Sequence, residues 1–532
     1  MTTPSRSLPS PFYEQARNAF PPGHPERIRL AAECSLRGGG AREWLTLGFE
    51  HLAAHEFSKG HSALHESLKR DSQLLAAHWL RFQYPLSPAP WDAEQAQLFR
   101  RQWSAGLASF EALDFRHPHL RSQIWGCVGS CTAFFRHYLD DNLVEEQRRY
   151  GRLLHRMMAA LDKGDPPRNV RLRRRRVLVC SAHLYQHTVS RLFLPLVEAL
   201  DPGEFDLHFT YLGTVQDPMT ERAKAAGTFH SGPREAFSWR SLIKDLAPDV
   251  IVYLELGMNP TALGLAALRL APIQCSLWGH PVTSGLPTID YALTPEAFEP
   301  ANAEQHYTER LVLLPGLGHG LDEPEGQDHR DIDQDKTPTD FLCAQSIFKL
   351  QPEQDEIFAR ILARVPQAKL HLIPHQEEAV RRWLLSRMRV QLSKHGVDAD
   401  QRLVLHPYSS LGQFLNLADR CAVNLDSLGW SGGMTAIDLL RRGIPTVAMA
   451  GDTMRTRQTA VLLTQAGWPE LIARDTDEYV EKAVALATGS AYAERIRRHL
   501  REHTSLAGKR PSVVQALSEF LRSCSPLRSV QP

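Results

Sequence analysis

From Arg176 onward the chain carries short apolar runs of strand-forming residues with no internal alternation, spaced by stretches of helical period. The runs are RRVLVCSAH, FDLHFTYLG, DVIVYLELG, IQCSLWG, DYALT and RLVLLP. After residue 340 come FLCAQ, KLHLIP, RLVLHP, CAVNLD, IPTVAMA and PELIAR. A strand that is apolar on both sides must be covered on both, and strands spaced by helices pair in parallel through crossovers. The pattern predicts two doubly wound α/β lobes, over 176–321 and 341–522. Residues 322–340, DEPEGQDHRDIDQDKTPTD, are acidic, hold Pro and Gly, and read as the linker. Ligands of such sheets bind beyond the carboxyl ends of the strands, which points to the cleft between the lobes.

Residues 26–165 have a different texture. Apolar positions recur at three- and four-residue spacing in AREWLTLGFEHLAAHEF and VEEQRRYGRLLHRMMAALDKG, which predicts an all-helical N-terminal domain. Trp44, Leu47 and Gly48 match the W-x2-L-G opening of a tetratricopeptide repeat, and Trp79 recurs 35 residues later. His51 and Gly60 depart from that consensus, so the domain reads as helical and at most as a degenerate repeat. Residues 1–25 are Pro-rich and read as a flexible N-terminus. The segment GDPPRNVRLRRRR reads as a linker whose arginines form a solvated boundary before a buried strand rather than a nucleic-acid patch.

Composition removes several function classes. The net charge is +1, from 61 basic and 60 acidic residues, so no overall field selects nucleic acid or a membrane surface. The 8 cysteines are scattered, and only Cys127 and Cys131 lie one helical turn apart, without further metal ligands near them. They read as small buried side chains, suited to a reducing compartment. No apolar leader region and no stretch of about 18 apolar residues is present, so the expectation is a soluble, cytoplasmic protein. Nothing in the sequence sets an oligomeric state.

Three places can carry chemistry. The first is NLDSLGWSGGMTAIDLLRRGIPTVAMAGD, residues 424–452. A strand ends at Asp426, a loop with Gly429, Gly432 and Gly433 follows, and Thr435 opens a helix. Glycines allow close approach of a ligand, and a helix start offers free N–H groups and a positive dipole end to an anion. Thr435 adds a hydroxyl, and Asp438 can accept from a sugar hydroxyl. An ordinary Gly-rich loop with Thr435 as a cap would look the same. The second place is Lys349 in FLCAQSIFKLQPE, just past a strand's carboxyl end, where an ammonium can meet a leaving diphosphate or simply be solvated. The third is His187 in SAHLYQHTVSR, which can orient a hydroxyl or move its proton, with His183 and His280 as comparable candidates among 24 histidines. No Ser-His-Asp order, H-E-x-x-H motif or Cys-rich spacing appears, so hydrolase and metalloenzyme readings have no anchor.

Taken together, RRVLVCSAHLYQHTVSRLFLPLVEAL, RLAPIQCSLWGHPVTSGLPTIDYALT, HYTERLVLLP, the run from Asp426 to Asp452 and GWPELIARDTDEYVEKAVALA resemble glycosyltransferase family 41 over roughly residues 176–520. That family holds O-linked N-acetylglucosamine transferases, SPINDLY-like proteins and bacterial adhesin N-glucosyltransferases. The resemblance implies a GT-B fold, inverting transfer from a nucleotide-diphosphate sugar, and a protein acceptor. It implies that Lys349 neutralises the donor diphosphate and that Thr435 with the Gly432–Gly433 backbone cradles phosphate. Asp438 takes the place of the ribose-binding carboxylate, and Gln345 and Ser346 fall where members contact the nucleotide. His187 falls on a histidine lining the acceptor and sugar site. No metal and no other cofactor is implied.

The chain departs from the family pattern at Gly433-Met434-Thr435, where many members have His-Thr-Thr or Gly-Thr-Thr, and at Phe414, where they place a histidine near uracil. LGMNPTALGLAALRLAPIQ and GHPVTSG look closer to the N-glucosyltransferase branch. The leading expectation is transfer of GlcNAc from UDP-GlcNAc to Ser/Thr of proteins. The alternatives are glucose from UDP-glucose onto Asn, fucose from GDP-fucose, a GT-B sugar-nucleotide epimerase, and a catalytically weak scaffold that binds partners through its helical domain.

Overall fold

The computed structural model describes residues 11–321 and 339–527, apart from 91, 140–141, 163–173, 233–234, 374–376, 408–409, 505 and 507–509. The arginine-rich linker up to residue 173 and most of the 322–340 linker therefore lie outside the described residues. The chain forms two compact units, residues 1–139 with 343–410 and residues 140–342 with 411–532. The described strands are β1 Arg175–Ser181, β2 Phe205–Tyr211, β3 Thr228–His230, β4 Val250–Tyr253, β5 Ile273–Leu277, β6 Tyr291–Pro295, β7 Arg310–Leu314, β8 Phe341–Cys343, β9 Leu370–Leu372, β10 Leu403–Leu405, β11 Val423–Leu425, β12 Thr446–Met449 and β13 Ile472–Ala473.

The first unit opens with helices Pro11–Ala19, Pro25–Leu36, Ala41–Ala53, Phe57–Arg70, Leu75–Gln83 and Ala93–Glu111. Ala41–Ala53 and Phe57–Arg70 form the pair that the tetratricopeptide likeness suggests. Their backbones approach so closely that a Cβ on Gly48 would stand 2.7 Å from Leu64, and one on Gly60 2.6 Å from Leu52. Trp79 is fully buried, edge-on to Phe82 and Phe110 at 5.2 and 5.1 Å. Pro11–Ala19 is a helix in the stretch read from sequence as flexible. Tyr13 and Ala16 bury against Leu30, Ala31 and Leu47, and the Tyr13 hydroxyl donates to buried Glu50 at 2.7 Å, where Arg27 Nε also donates at 2.9 Å. In the same unit β9 and β10 pair in parallel.

The second unit holds a seven-stranded parallel sheet in the order β3-β2-β1-β4-β5-β6-β7, and strands β8, β11, β12 and β13 side by side in that order, also parallel. All four residues of β4 are buried, as a run apolar on both faces requires. The edge strand β3, of three residues, belongs to no apolar run in the sequence.

The helical domain read to residue 165 does not end as one body. Its last helix, Val144–Leu161, lies in the second unit. Gly151 crosses Gly285, where a Cβ would stand 2.1 Å from the carbonyl oxygen, and Gln147 donates to Thr283 O at 3.1 Å. Gly285 itself has φ +70°, which favours glycine. All eight cysteines are free. Burial pushes the Cys131 thiol up to about 12, which keeps it protonated and suits a small core side chain. No helix among the described residues is long and apolar enough to cross a membrane.

Candidate active site

In the second unit the segments that follow β1, β5 and β11 carry most of the residues that sequence reasoning selected. After β1, His187 caps the helix Thr188–Val197, its Nδ1 accepting the Val189 N–H at 3.2 Å. A ring nitrogen that accepts carries no proton, so the neutral ring bears its proton on Nε2 and presents that N–H as a donor. Burial lowers the His187 pKa, which favours this neutral form. His183 stacks on it at 4.1 Å and 17°, and burial first, then the His187 charge, brings the His183 pKa down to about 3. The third candidate, His280 after β5, is 5 % exposed and likewise held at about 3 by burial and then by Arg455. It meets the Trp430 ring at 5.5 Å, and Gly257, at φ +107°, presses so close that a Cβ would stand 2.8 Å from its ring.

The loop after β11 is braced from beneath. Buried Asp426 accepts the Gly432 N–H through Oδ1 and the Ser431 hydroxyl through Oδ2, both at 2.8 Å. The Ser431 oxygen in turn accepts the Thr459 N–H at 2.8 Å, and the Thr459 hydroxyl donates to Gly432 O at 3.0 Å. The Gly432 amide, expected from the resemblance to face phosphate, is thus committed to Asp426. The donors open to an anion come instead from the start of helix Met434–Arg441, whose first intrahelical bond is Ile437 N–H to Gly433 O at 3.1 Å. The amides of Met434, Thr435 and Ala436 precede it, and the Thr435 side chain is half-buried beside them. A Cβ on Gly433 would stand 2.7 Å from Gln458 Oε1, the end of a side chain that can shift aside.

The helices that follow these two loops are joined by an ion pair, of which sequence reasoning selected Asp438 but not Arg191. Arg191, one turn past His187, holds Asp438 with two parallel bonds, Nη1 to Oδ2 at 2.9 Å and Nη2 to Oδ1 at 2.8 Å. Their side chains are 21 % and 11 % exposed. Asp438, expected from the resemblance to bind ribose, therefore has a guanidinium partner on the helix that His187 caps. A second unselected residue is Glu255, at the carboxyl end of β4. It is 2 % exposed and accepts the Ala182 N–H through Oε1 at 2.7 Å, and burial pushes its carboxyl up to about 7. Its signal was an acidic residue inside the apolar run DVIVYLELG.

Gln345, Ser346 and Lys349 lie in the first unit, on and before the 3-10 turn Ile347–Lys349 that follows β8. Gln345 is 4 % exposed, and its Oε1 accepts from Lys349 Nζ at 3.0 Å. Phe414, in the place of the expected histidine, is buried at 8 % exposure in helix Leu411–Ala418 of the second unit.

Residues 337–508 match Glycosyl transferase family 41. A protein of Solanum lycopersicum named "Probable UDP-N-acetylglucosamine--peptide N-acetylglucosaminyltransferase SPINDLY" is 32% identical over 270 residues, covering 49% of this chain and 28% of that protein. The protein of the same name from Hordeum vulgare is 28% identical over 379 residues, 68% of this chain and 39% of that one. "UDP-glucose:protein N-beta-glucosyltransferase" of Actinobacillus pleuropneumoniae serotype 5b (strain L20) is 25% identical over 274 residues, 50% of this chain and 43% of that one. The chain thus spans less than half the length of these curated relatives. Among solved structures, a mutant Thermobaculum terrenum O-GlcNAc transferase matches with a TM-score of 0.71 at 22% identity, over 96% of this chain and 95% of that one. The fold is the GT-B form of α/β, with two Rossmann-like lobes of parallel strands and helices ahead of them.

Proposed function

We propose that this chain is an inverting glycosyltransferase that moves GlcNAc from UDP-GlcNAc onto Ser/Thr hydroxyls of proteins. The observation that carries the reading is the Arg191–Asp438 pair. It brings the helix capped by His187 against the helix whose free amides and Thr435 follow the Gly-rich loop. One of these helices offers a ring N–H and the other an anion site, as transfer from a nucleotide diphosphate needs.

In this reading the acceptor hydroxyl attacks the anomeric carbon in line with the departing diphosphate: the new C–O bond forms as the bond to the diphosphate oxygen breaks, and the hydroxyl proton passes to the departing diphosphate. The charge that grows on the leaving oxygens is met by Lys349 and by the amides of Met434, Thr435 and Ala436, so no cation is called for. One such donor aimed at developing charge commonly contributes about 3–4 kcal/mol. The His187 Nε2–H orients a sugar or acceptor oxygen rather than removing a proton, because Nδ1 is occupied by the Val189 amide. Gln345 and Ser346 contact the nucleotide, and the helical region selects the protein.

A second reading, glucose from UDP-glucose onto Asn, is favoured by the GHPVTSG segment, whose His280 rests against Trp430 of the Gly-rich loop. Calorimetry with UDP-GlcNAc, UDP-glucose and GDP-fucose, without metal, separates the readings. We expect UDP-GlcNAc to bind, and Lys349→Ala to lower turnover by roughly a hundredfold or more with an unchanged melting temperature. Preference for UDP-glucose would favour the second reading. Binding of none of the three would leave a scaffold.

A further inference from the structure

The turn that carries Lys349 is seated on aromatic rings from the helical region of its own unit. Phe348, 7 % exposed, stacks on His55 at 5.1 Å and 28° and meets Phe135 edge-on at 5.3 Å. Tyr138 completes the seat at 5.9 Å from the Phe348 ring, and its phenol is hydrogen-bonded to the Ser346 side chain. The chain just beyond is tied down as well. Gln351 Nε2 donates to Tyr138 O at 2.9 Å, and Arg387 Nη1 donates to both Leu350 O and Pro90 O at 3.0 Å. Arg387 is itself fixed by two bonds to buried Asp355, at 2.7 and 2.8 Å.

Two details show that this seat is more than core filling. His55 has φ +56°, a left-handed conformation that costs a non-glycine residue on the order of 1 kcal/mol and persists where the surroundings impose it. Glycine would relieve that strain, yet the histidine there supplies the ring stacked on Phe348. The far side of the seat faces a pocket partly open to solvent. A cavity of about 160 Å³ is bounded by Phe348, Phe135, Tyr138, Leu139, Phe99 and the Pro85–Pro90 segment. The rings are therefore packed against protein on one side and border that pocket on the other.

We propose that His55, Phe135 and Tyr138 are positioning residues for the donor: through Phe348 and Ser346 they fix the turn that carries Lys349, so the helical region sets donor affinity without touching the donor. The donor part of this inference rests on the reading of Lys349 given above; the seat itself does not.

The test uses the full chain and two readouts. The first is hydrogen exchange of residues 345–351 in the absence of any donor, measured by mass spectrometry in wild type, Tyr138→Phe, Phe348→Leu and Phe348→Tyr. Aromatic contacts and one buried hydrogen bond predict exchange about tenfold faster in Tyr138→Phe and Phe348→Leu, and near wild type in Phe348→Tyr, which keeps the ring. The second readout is donor Kd and the split between KM and kcat, with UDP-GlcNAc as probe. Donor KM should rise about tenfold with kcat changed far less, and the global melting temperature should hold. Unchanged exchange in both Tyr138→Phe and Phe348→Leu overturns the seat. Faster exchange with unchanged donor affinity, in a protein where Lys349→Ala abolishes binding, overturns the link to the donor. Faster exchange together with normal binding by Lys349→Ala keeps the seat and overturns the role given to Lys349.

Discussion

Two loops of the second unit leave the carboxyl ends of β1 and β11, parallel strands of different sheets, and end on helix starts, yet they are built in opposite ways. The loop after β1 offers rings: His183, Tyr185 and His187 lie over one another, with no glycine between Ser181 and Thr188. The loop after β11 offers backbone: Gly429, Gly432 and Gly433 among Ser427 and Ser431, ending on free amides. A buried carboxylate underlies each, and the two differ in how they are bonded. Asp426 accepts through both oxygens. Glu255 accepts the Ala182 amide through Oε1 and lies beside the Ser181 hydroxyl, and burial still pushes its carboxyl up to about 7. A loop that ends on helix-start amides stands on a carboxylate with both oxygens bonded. A loop that presents rings tolerates a base that can take up a proton.

The sharpest way to break this contrast is to remove Asp426. Asp426→Ala leaves the Ser431 hydroxyl and the Gly432 amide buried without their acceptor, at about 1–3 kcal/mol each. The sum is a loss of about 4 kcal/mol in denaturant unfolding, together with loss of donor binding. A loss below about 1 kcal/mol would show that the loop is not held from beneath. Next comes Glu255. Its folded pKa, about 7, lies above the ordinary 4.5 because burial disfavours the charged form. The folded state therefore holds this proton more tightly than the unfolded state. The stabilisation is complete below about pH 4.5 and is lost as pH rises through about 7, a change on the order of 3 kcal/mol. Glu255→Gln keeps the neutral shape and should flatten the fall in stability between pH 5 and 8. Stability curves for the two proteins that run parallel over that range would remove Glu255 as a titrating base.

A third expectation concerns the pair that joins the two loops. Arg191→Ala strips Asp438 of two charge-assisted bonds at 2.8 and 2.9 Å, worth about 2 kcal/mol at partial burial. Asp438→Asn should cost less, and the double mutant should cost little more than Arg191→Ala alone. A double-mutant cycle measured by chemical unfolding gives the coupling directly. Additive losses would mean that the two helices are held by other contacts, and that the two loops are independent.

Much of the fold was visible in the sequence because its signal is local. All twelve apolar runs correspond to strands, since a strand apolar on both faces announces its own environment. β3 escaped because TFH is too short to make a run. The place of Val144–Leu161 escaped for another reason. Its helical period was plain, but its partner is a loop that it meets through Gly151 and Gly285, and no local pattern states a partner. The site divides in the same way. His187, Thr435 and Lys349 stood out as residue types at strand ends. Arg191 did not, because its meaning lies in an aspartate 247 positions away. Asp426 looked like the end of a strand, and its two acceptor roles exist only once the loop has turned back over it. Tyr138 acts on a turn more than two hundred residues downstream, which periodicity does not reveal.

The smallest expected effect separates two duties of one residue. His187 caps a helix through Nδ1 and presents Nε2–H outward, so His187→Ala removes both at once. Loss of the cap alone costs about 1 kcal/mol. Asparagine is a good cap whose oxygen can accept the same Val189 amide, but it places no donor where Nε2 stood. His187→Asn should therefore recover the stability lost in His187→Ala, while transfer to a protein acceptor stays impaired and donor binding stays near normal. Recovery of transfer along with stability would show that the loop after β1 serves as a helix cap and nothing more. The contrast between a loop of rings and a loop of amides would then be one of packing rather than of chemistry. Failure of both variants to bind donor would move His187 to the same side of the reaction as the Gly-rich loop.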